Sequence, residues 1–306
     1  MQHGIAHTYT DPMCGIVGLF AKSPGVSERL GAHLAAMLTQ MNDRGPDSAG
    51  VAVYRDPVAE GATKVSLFSP DAGYDWSAVE GVVEVRASHA LVVMEAGAAE
   101  AEASLRERHP ELRIMSAGRA IEIYKEAGLP SAFVDRFALG DMQGSHALGH
   151  TRMATESRVT TEHSHPFTTG LDLCLVHNGS LSNHNRLRLR LRRAGLTFQT
   201  DNDSEVAAAY LTWRLREGAS LPEALEGCLR DLDGFFTFAV GTADGFAVLR
   251  DPIACKPAVL AETDDWVAMA SEYRALAVLP GAAEAELWEP APGKVYSWER
   301  EREPVA

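Results

Sequence analysis

The fold begins at residues 13–20, which read MCGIVGLF. Apolar residues follow the cysteine without a long break, and this run predicts a short strand from Cys14 to Phe20. A cysteine directly after a methionine becomes the first residue of the chain once the preceding peptide is removed. Its α-amine, with an unperturbed pKa of about 7.7, would then lie beside the thiol as a general base. Taken alone, the pattern more often marks a small buried cysteine at the start of a strand.

The segment upstream of this strand differs from the rest of the chain. Residues 1–12 read MQHGIAHTYTDP and show neither helical nor strand periodicity. They also lack the basic and apolar regions of a secretory signal. We therefore interpret residues 1–13 as a leader or propeptide and residues 14–306 as the folded domain.

The composition is that of a globular protein and excludes several functional classes. Of the 306 residues, 46% are hydrophobic and 23% are charged. The 28 basic and 42 acidic side chains give a net charge of −14, which argues against nucleic acid as the main partner. No apolar stretch approaches the roughly 20 residues that span a membrane. The four cysteines form no CxxC pair, which predicts separate thiols in a reducing cytoplasmic compartment rather than a metal site.

Hydrophobic periodicity predicts the elements of the N-terminal half. Apolar residues recur at helical spacing from Val26 to Met41, and Gly50–Tyr54 reads as a strand. The region at about 56–145 reads as an inserted α/β lobe. Within it we predict strands at His89–Met94 and Leu112–Met115, and helices at Ala98–Arg108 and Arg119–Ala127.

The C-terminal half groups its strands and helices instead of alternating them. This grouping favours an α+β fold in which mostly antiparallel sheets are covered by helices. The predicted strands are Ala147–Thr151, Leu171–His177, Phe235–Gly241, Phe246–Arg250 and Val267–Ser271, and the predicted helices are Asn183–Ala194, Ser204–Glu217 and Pro222–Asp231.

Five short motifs occur in a fixed order along the chain. They are MCGIVG at 13–18, RGPDSAG at 44–50, GHTRMAT at 149–155, HNG at 177–179 and DSE at 203–205. Each is weak alone, but their types and order together resemble the class II glutamine amidotransferases. The resemblance implies an αββα sandwich of the N-terminal-nucleophile hydrolase type, with the predicted lobe as a family-specific insertion.

The resemblance implies that Cys14 is a nucleophile that releases ammonia from glutamine. Attack of the thiolate on a carboxamide creates an oxyanion, which the side-chain NH2 of Asn178 and the backbone N–H of Gly179 would stabilise. Glycine suits this position because the backbone must approach the substrate closely. Without the other motifs, the Asn-Gly pair would rather indicate a hairpin turn.

Recognition of free glutamine requires opposite charges for its α-carboxylate and its α-ammonium group. Arg152 fits the carboxylate through a bidentate guanidinium contact. By resemblance, Asp203 fits the ammonium group, and Thr155 is a further substrate contact. The alternatives are a surface ion pair for Arg152 and a helix N-cap for Asp203, which could also serve both roles.

Two further residues match the family pattern with less defined tasks. Arg44 resembles a residue that lines the glutamine pocket or supports the nucleophile, and a purely structural role remains open for it. His165 matches a histidine in the loop after the arginine motif, and an ordinary loop histidine is the alternative. No GxGxxG or GxxxxGK[ST] pattern occurs, so we predict no nucleotide cofactor in this chain, and we predict no metal.

The motifs end shortly before Ala306, and we therefore expect another polypeptide to accept the ammonia. The insertion and the loop TTEHSHPF at 160–167 resemble stand-alone subunits of glutamate synthase and N-methylglutamate synthase type enzymes. That resemblance implies a hetero-oligomer with synthase subunits that carry flavin and iron–sulfur centres. Two alternatives stay open: a free-standing γ-glutamyl amide hydrolase, and a non-catalytic assembly subunit in which Cys14 is never freed.

Overall fold

The computed structural model describes residues 13–153 and 159–300, which contain fifteen strands and eight α-helices. The strands are β1 (Gly15–Ala21), β2 (Ser48–Tyr54), β3 (Thr63–Phe68), β4 (Val82–Arg86), β5 (His89–Met94), β6 (Arg113–Gly118), β7 (Ile121–Ala127), β8 (His146–Arg152), β9 (Cys174–Leu181), β10 (Gly234–Gly241), β11 (Gly245–Arg250), β12 (Val259–Glu262), β13 (Trp266–Ala270), β14 (Glu286–Trp288) and β15 (Val295–Glu299). The helices are α1 (Pro24–Ser27), α2 (Leu30–Thr39), α3 (Ala98–Arg108), α4 (Pro130–Arg136), α5 (His184–Arg193), α6 (Asp203–Arg216), α7 (Leu221–Asp231) and α8 (Tyr273–Leu276).

Two antiparallel sheets form the centre of the molecule. The larger sheet has the strand order β14-β12-β13-β1-β8-β2-β7, and the smaller has the order β15-β11-β10-β9. Side chains of both sheets share one buried cluster, which includes Ile16 of the larger sheet and Val176 and Phe246 of the smaller. The two sheets therefore pack face to face around an apolar core.

Helices cover the outer face of each sheet. Leu34 and Met37 of α2 pack against the larger sheet, together with side chains from α4 and α8. Leu187, Val206 and Leu225, from α5, α6 and α7, pack against the smaller sheet. The order of layers is thus helix, sheet, sheet, helix, and the predicted αββα sandwich is confirmed.

The unbroken apolar run of β1 follows from its central position. Ile16 and Phe20 face the core between the sheets, whereas Val17 and Leu19 face the helical layer. All four side chains are at most 5% exposed. A strand that is buried on both faces needs apolar residues at every position, which explains why this stretch does not alternate.

The inserted lobe lies within residues 63–118. It has its own four-stranded sheet, β4-β5-β3-β6, and its own apolar cluster between that sheet and α3. The lobe is smaller than the predicted region at about 56–145, because β7 and α4 return to the larger sheet and its helical layer. The carboxylate of Asp172 accepts hydrogen bonds from the backbone N–H groups of residues 119–121, where the chain leaves the lobe.

The prediction of a helix at Arg119–Ala127 is wrong. Residues Ile121–Ala127 instead form β7, which pairs with β2 at the edge of the larger sheet. Ile121 and Ile123 face the core between the sheets, while Tyr124 and Glu122 lie on the other face and hydrogen-bond to each other. The side chains therefore alternate with a period of two residues and not with the helical period of 3.6. The charged residues in the segment interrupt the apolar pattern from which this alternation could have been predicted.

Most other predicted elements are confirmed within a few residues at their ends. One boundary matters for function, since the strand predicted to end at His177 continues through Leu181. The predicted helix from Val26 to Met41 is divided into α1 and α2. The strands that sequence reasoning missed are β3, β4, β12, β14 and β15, of which β4, β14 and β15 end their sheets.

The helices in the described part of the chain are short and mixed in polarity. None of them combines the length and the apolar composition needed to cross a lipid bilayer.

Candidate active site

A cleft of about 490 Å³ opens where the start of β1, the end of β8 and the middle of β9 come together. It brings six of the predicted site residues into one lining: Cys14, Arg152, His165, Asn178, Gly179 and Asp203. Arg44 contacts Cys14 from behind the cleft. Thr155 lies outside the described residues.

The register of β1 fixes where the cysteine stands. Gly15 pairs with Thr151 of β8, so Cys14 directly precedes the first paired residue of the strand. On the other side, Ile16 donates its N–H to Ser271 Oγ at 2.9 Å, and the Ser271 N–H donates to the Ile16 carbonyl at 2.9 Å. Backbone pairing on both sides therefore holds the cysteine at the edge of the larger sheet.

The carbonyl oxygen of Cys14 joins the two sheets at the cleft. It accepts one hydrogen bond from Arg44 Nε at 2.9 Å and another from Asn178 Nδ2 at 3.0 Å. The thiol Sγ lies 3.7 Å from the carbonyl oxygen of Met153. The main chain of Cys14 is thus held by two donors, while its thiol faces the cleft.

The environment of the thiol contains opposing influences. Burial raises the pKa of Cys14 above its ordinary value. The positive charges of Arg152, Lys256 and Arg44 pull the pKa in the opposite direction, without overcoming the burial. A thiol in these surroundings stays protonated at neutral pH unless a base accepts its proton.

Asn178 and Gly179 lie inside β9 and pair with Thr237 and Phe236 of β10. The hairpin-turn alternative for this pair is therefore wrong. Gly179 has φ of +150°, and a Cβ atom here would lie 2.0 Å from the carbonyl oxygen of Phe235. Any other residue at this position would require a shift of the backbone. Gly179 lines the cleft and has no side chain that could cover its main chain.

Arg152 ends β8, and its side chain is only 6% exposed. This burial excludes the alternative of a surface ion pair. Its NH1 group donates a hydrogen bond to the carbonyl oxygen of His163 at 3.1 Å. The guanidinium group is thus tied to the segment 159–167 and also lines the cleft.

Asp203 is the first residue of α6 and not its N-cap. The cap is Asn202, whose side chain accepts the N–H of Ser204 at 2.8 Å. Asp203 Oδ2 instead accepts the N–H of Leu181, at the end of β9, at 2.9 Å. The carboxylate therefore links α6 to the strand of Asn178 and still borders the cleft.

Three buried histidines lie behind and beside the cysteine. The ring of His165 stacks on that of His150 with centroids 4.0 Å apart, and His177 Nδ1 contacts Ser204 Oγ at 2.9 Å. Burial lowers the pKa of each ring, to about 3 for His150. Within residues 13–153 and 159–300, neither ring nitrogen of His165 has a hydrogen-bond partner. These rings are neutral at pH 7.

Arg44 binds the backbone of Cys14 and does not line the cleft. Besides its bond to the Cys14 carbonyl, it forms an ion pair with Glu272, which directly follows Ser271. Glu272 also pairs with Arg274 at 2.7 Å. Arg44 thus does not line the cleft, and its bond to the Cys14 carbonyl is compatible both with support of the candidate nucleophile and with a purely structural role.

His177 and Lys256 are among the cleft residues that sequence reasoning did not single out as site residues. Lys256 Nζ lies 3.9 Å from Met13 Sδ and 5.3 Å from the ring centroid of Phe235. The loop that carries it is held by Arg250, which donates to the carbonyl oxygens of Ala254 and Lys256. Nothing local in the sequence around Arg250 and Lys256 indicates that this loop reaches residue 13.

The chain matches known proteins over most of its length. The family of glutamine amidotransferase domains matches residues 150–278. The glutamine amidotransferase-like protein GlxB of Rhizobium meliloti (strain 1021) is 54% identical over 300 residues, which cover 95% of this chain and 99% of that protein.

The fold also matches solved structures. Glutamine phosphoribosylpyrophosphate amidotransferase from B. subtilis superposes with a TM-score of 0.62 at 21% identity, over 94% of this chain and 47% of that one. A structure titled as the allosteric regulatory enzyme of purine biosynthesis gives 0.58 at 21% identity, again over 94% of this chain and 47% of that one. The chain thus spans about half the length of these solved proteins, and the likeness concerns the fold.

The sandwich and the cleft at its edge define an N-terminal-nucleophile type of fold. Within this class, the full-length relative decides the family. The chain belongs to the class II glutamine amidotransferases.

Proposed function

We propose that Cys14, freed by removal of residues 1–13, is the nucleophile that hydrolyses glutamine to glutamate and ammonia. The observation that carries the proposal is the cleft itself. It joins the thiol with an arginine, a carboxylate and an amide donor, which come from β8, α6 and β9. These are the groups needed to hold an amino acid by its charges while its side-chain amide is attacked.

Glutamine binds through its two charged groups. Arg152 pairs with the α-carboxylate, and its low exposure makes this charge contact stronger than it would be in water. Asp203 accepts the α-ammonium group with the oxygen that does not bind the Leu181 N–H. Thr155 and His165 are further contacts, and the neutral ring of His165 still has a nitrogen to donate.

The reaction proceeds by covalent catalysis. The α-amine of the freed Cys14 takes the thiol proton, and Sγ attacks the carboxamide carbon. The tetrahedral oxyanion is stabilised by the second N–H of Asn178 Nδ2 and by the N–H of Gly179, as the first N–H of Nδ2 binds the Cys14 carbonyl. The C–N bond then breaks, ammonia leaves with the proton held by the α-amine, and water hydrolyses the thioester to glutamate and the free thiol.

Burial of the thiol supports the need for this internal base. Since burial raises the pKa of Cys14, few molecules carry a thiolate at neutral pH without proton transfer. The neighbouring rings of His150, His165 and His177 are poor bases, because burial lowers the pKa of each below its ordinary value. The α-amine is then the base nearest to Sγ.

The ammonia passes to a partner synthase of the glutamate synthase or N-methylglutamate synthase type. Its subunits would carry the flavin and iron–sulfur centres, and the complex would be a cytoplasmic hetero-oligomer. Free ammonia becomes ammonium in neutral water, so a productive cleft needs a partner that covers it. The loop from Arg152 to Phe167, of which Arg152, Met153 and His165 line the cleft, is where we expect closure and contact with this partner.

Two measurements test the proposal. Intact mass of the purified chain shows whether residues 1–13 are lost, and a glutaminase assay before and after their removal shows whether turnover depends on it. We expect turnover only in the shortened form. A full-length chain with no glutaminase activity under any treatment would contradict catalysis and favour the assembly subunit.

The glutaminase assay with and without co-purified synthase subunits separates the remaining alternative. A shortened chain that reaches its full rate alone would be a free-standing γ-glutamyl amide hydrolase.

A further inference from the structure

Lys125 is a buried cation outside the cleft. It lies on β7 opposite Gly50 of β2 and is only 5% exposed. A buried ammonium group is costly unless each of its donors finds an acceptor. None of the ion pairs among the described residues includes Lys125, so its charge is compensated in another way.

The acceptors are three alternate carbonyl groups of one segment. Lys125 Nζ donates to the carbonyl oxygens of Ser164 at 2.8 Å, Glu162 at 3.3 Å and Pro166 at 3.3 Å. It also lies 4.9 Å from the ring centroid of Phe167. An ammonium group has three N–H donors, so this one segment uses its full capacity.

The same segment forms a wall of the cleft. Between the carbonyl groups that Lys125 binds, the carbonyl of His163 accepts the hydrogen bond from Arg152. The ring of His165 projects into the lining of the cleft. Lys125 therefore holds the segment from behind, while Arg152 contacts it from the substrate side.

The neighbouring strand is shaped to accept this arrangement. A Cβ atom on Gly50 would lie 2.1 Å from the carbonyl oxygen of His165 and 2.6 Å from Lys125 Cβ. The segment can lie against β2 and β7 only because residue 50 has no side chain. Gly50 of the RGPDSAG motif thus allows the segment to lie close to β2. Lys125 holds the segment there through its hydrogen bonds to the three carbonyl groups.

We infer that Lys125 is a positioning residue for glutamine binding, which orients Arg152 and His165 through the carbonyl groups of residues 162–166. The inference rests on the proposed function, since it assigns Lys125 to the wall that binds glutamine. Its role is indirect, because Lys125 itself does not line the cleft.

The first test is the variant Lys125→Met, which keeps the length of the side chain and removes all three donors. In a shortened Cys14→Ala chain that begins at residue 14, where no turnover occurs, we expect glutamine to bind about tenfold more weakly by calorimetry. In the catalytically competent chain, KM should rise by a similar factor while kcat changes little. Unchanged binding and unchanged KM would overturn the inference.

Hydrogen exchange provides a readout that does not need glutamine. In Lys125→Met, backbone amides of residues 159–167 should exchange faster, while those of β1 and β9 keep their protection. The matched control is Lys64→Met, which removes an equally buried lysine that binds Glu122 at 3.0 Å, away from the cleft. It should lower thermal stability without local exchange at 159–167. Equal acceleration across β1, β9 and the segment in Lys125→Met would mean a merely structural role.

The pH dependence adds a third arm. Burial lowers the pKa of Lys125 to about 8, against the opposing charges of Glu205 and Glu162; the other titratable groups facing it are His165 and His89. Above that pH the amine has two N–H donors for three carbonyl groups, so glutamine binding should weaken. Lys125→Met lacks this component, and titration of the α-amine of glutamine is common to both proteins. Parallel pH profiles would contradict the positioning role.

If the shortened Cys14→Ala chain binds no glutamine at all, the proposed function fails. The exchange experiment still decides whether Lys125 holds the segment. The two failures are therefore distinguishable.

Discussion

The two walls of the cleft are built in different ways. The strand wall, formed by Cys14, Asn178 and Gly179, is held by backbone pairing within two sheets and by the bond that links Cys14 to Asn178. The loop wall, residues 159–167, has only the isolated bridge of Phe167 to Leu175 at its far end. This wall is held instead by hydrogen bonds that the side chains of Lys125 and Arg152 donate to its carbonyl groups.

This difference corresponds to two chemical demands. Bond making requires the nucleophile and the oxyanion donors to keep positions within fractions of an ångström, which a sheet provides. Substrate entry requires a wall that can adjust and close. The strand wall should therefore control kcat, and the loop wall should control KM.

The strongest test of the strand wall is Cys14→Ala. We expect glutaminase activity to be abolished, because no other group of the cleft can form the thioester. Thermal stability should change little, since a small side chain replaces a small one. The matched controls are Cys228→Ala, at a buried site of α7, and Cys255→Ala, at an exposed one, and both should keep full turnover. Retained turnover in Cys14→Ala would remove the strand wall from the chemistry.

Asn178→Ala should give the next largest effect. Loss of one oxyanion donor is expected to lower kcat by about 100-fold or more, with KM nearly unchanged. Steady-state kinetics on the shortened chain measure both constants. Asn183→Ala is a suitable control, because Asn183 binds the Asp231 carbonyl away from the cleft. If KM rose in Asn178→Ala while kcat stayed intact, the division between the walls would break down.

Charge recognition should respond to Arg152→Ala and Asp203→Asn. Each removes one contact to a charged group of glutamine, which we expect to raise KM by about tenfold to a hundredfold with a smaller change in kcat. Asp203→Asn keeps an oxygen for the Leu181 N–H, so the link to β9 survives. A combined fall in kcat equal to that of Asn178→Ala would show that these side chains also act in the transition state.

The smallest effects concern stability. Burial lowers the pKa of His146 and His150 to about 3, whereas the unfolded chain takes up a proton on each near pH 6.5. As the pH falls below about 6.5, the free energy of unfolding should therefore decrease, by up to about 1.4 kcal/mol per pH unit for each histidine. Denaturant titrations from pH 7.5 to 5 measure the slope, and His146→Gln should make it shallower. An unchanged slope would contradict the assignment.

Much of the site could be predicted because its residues lie in short motifs. Cys14, Arg152, Asn178 and Asp203 were each indicated by a local pattern, and the structure brings them into one cleft. Helices such as α7 were also readable, since a capping box at Ser220 and regular apolar spacing mark its start and its buried face.

The remainder depends on contacts that no local pattern reveals. The strand Ile121–Ala127 carries charged residues that are neutralised only by distant partners, as when Glu122 meets Lys64 at 3.0 Å. From the sequence alone, Lys125 in that strand would be taken for a solvent-exposed cation. It is buried because the segment at 159–167 packs beside it. Likewise, no local pattern indicates that Lys256 belongs to the cleft, because only the fold brings its loop to Met13.

The position of Met13 has a consequence for how the cleft becomes available. Its side chain lines the space in which glutamine would bind, with Sδ 3.9 Å from Lys256 Nζ. Because it is tethered to the chain, this side chain would compete with glutamine for the cleft at an effective concentration of millimolar order. Under the proposed function, removal of residues 1–13 would therefore have two effects: it would create the base and empty the cleft.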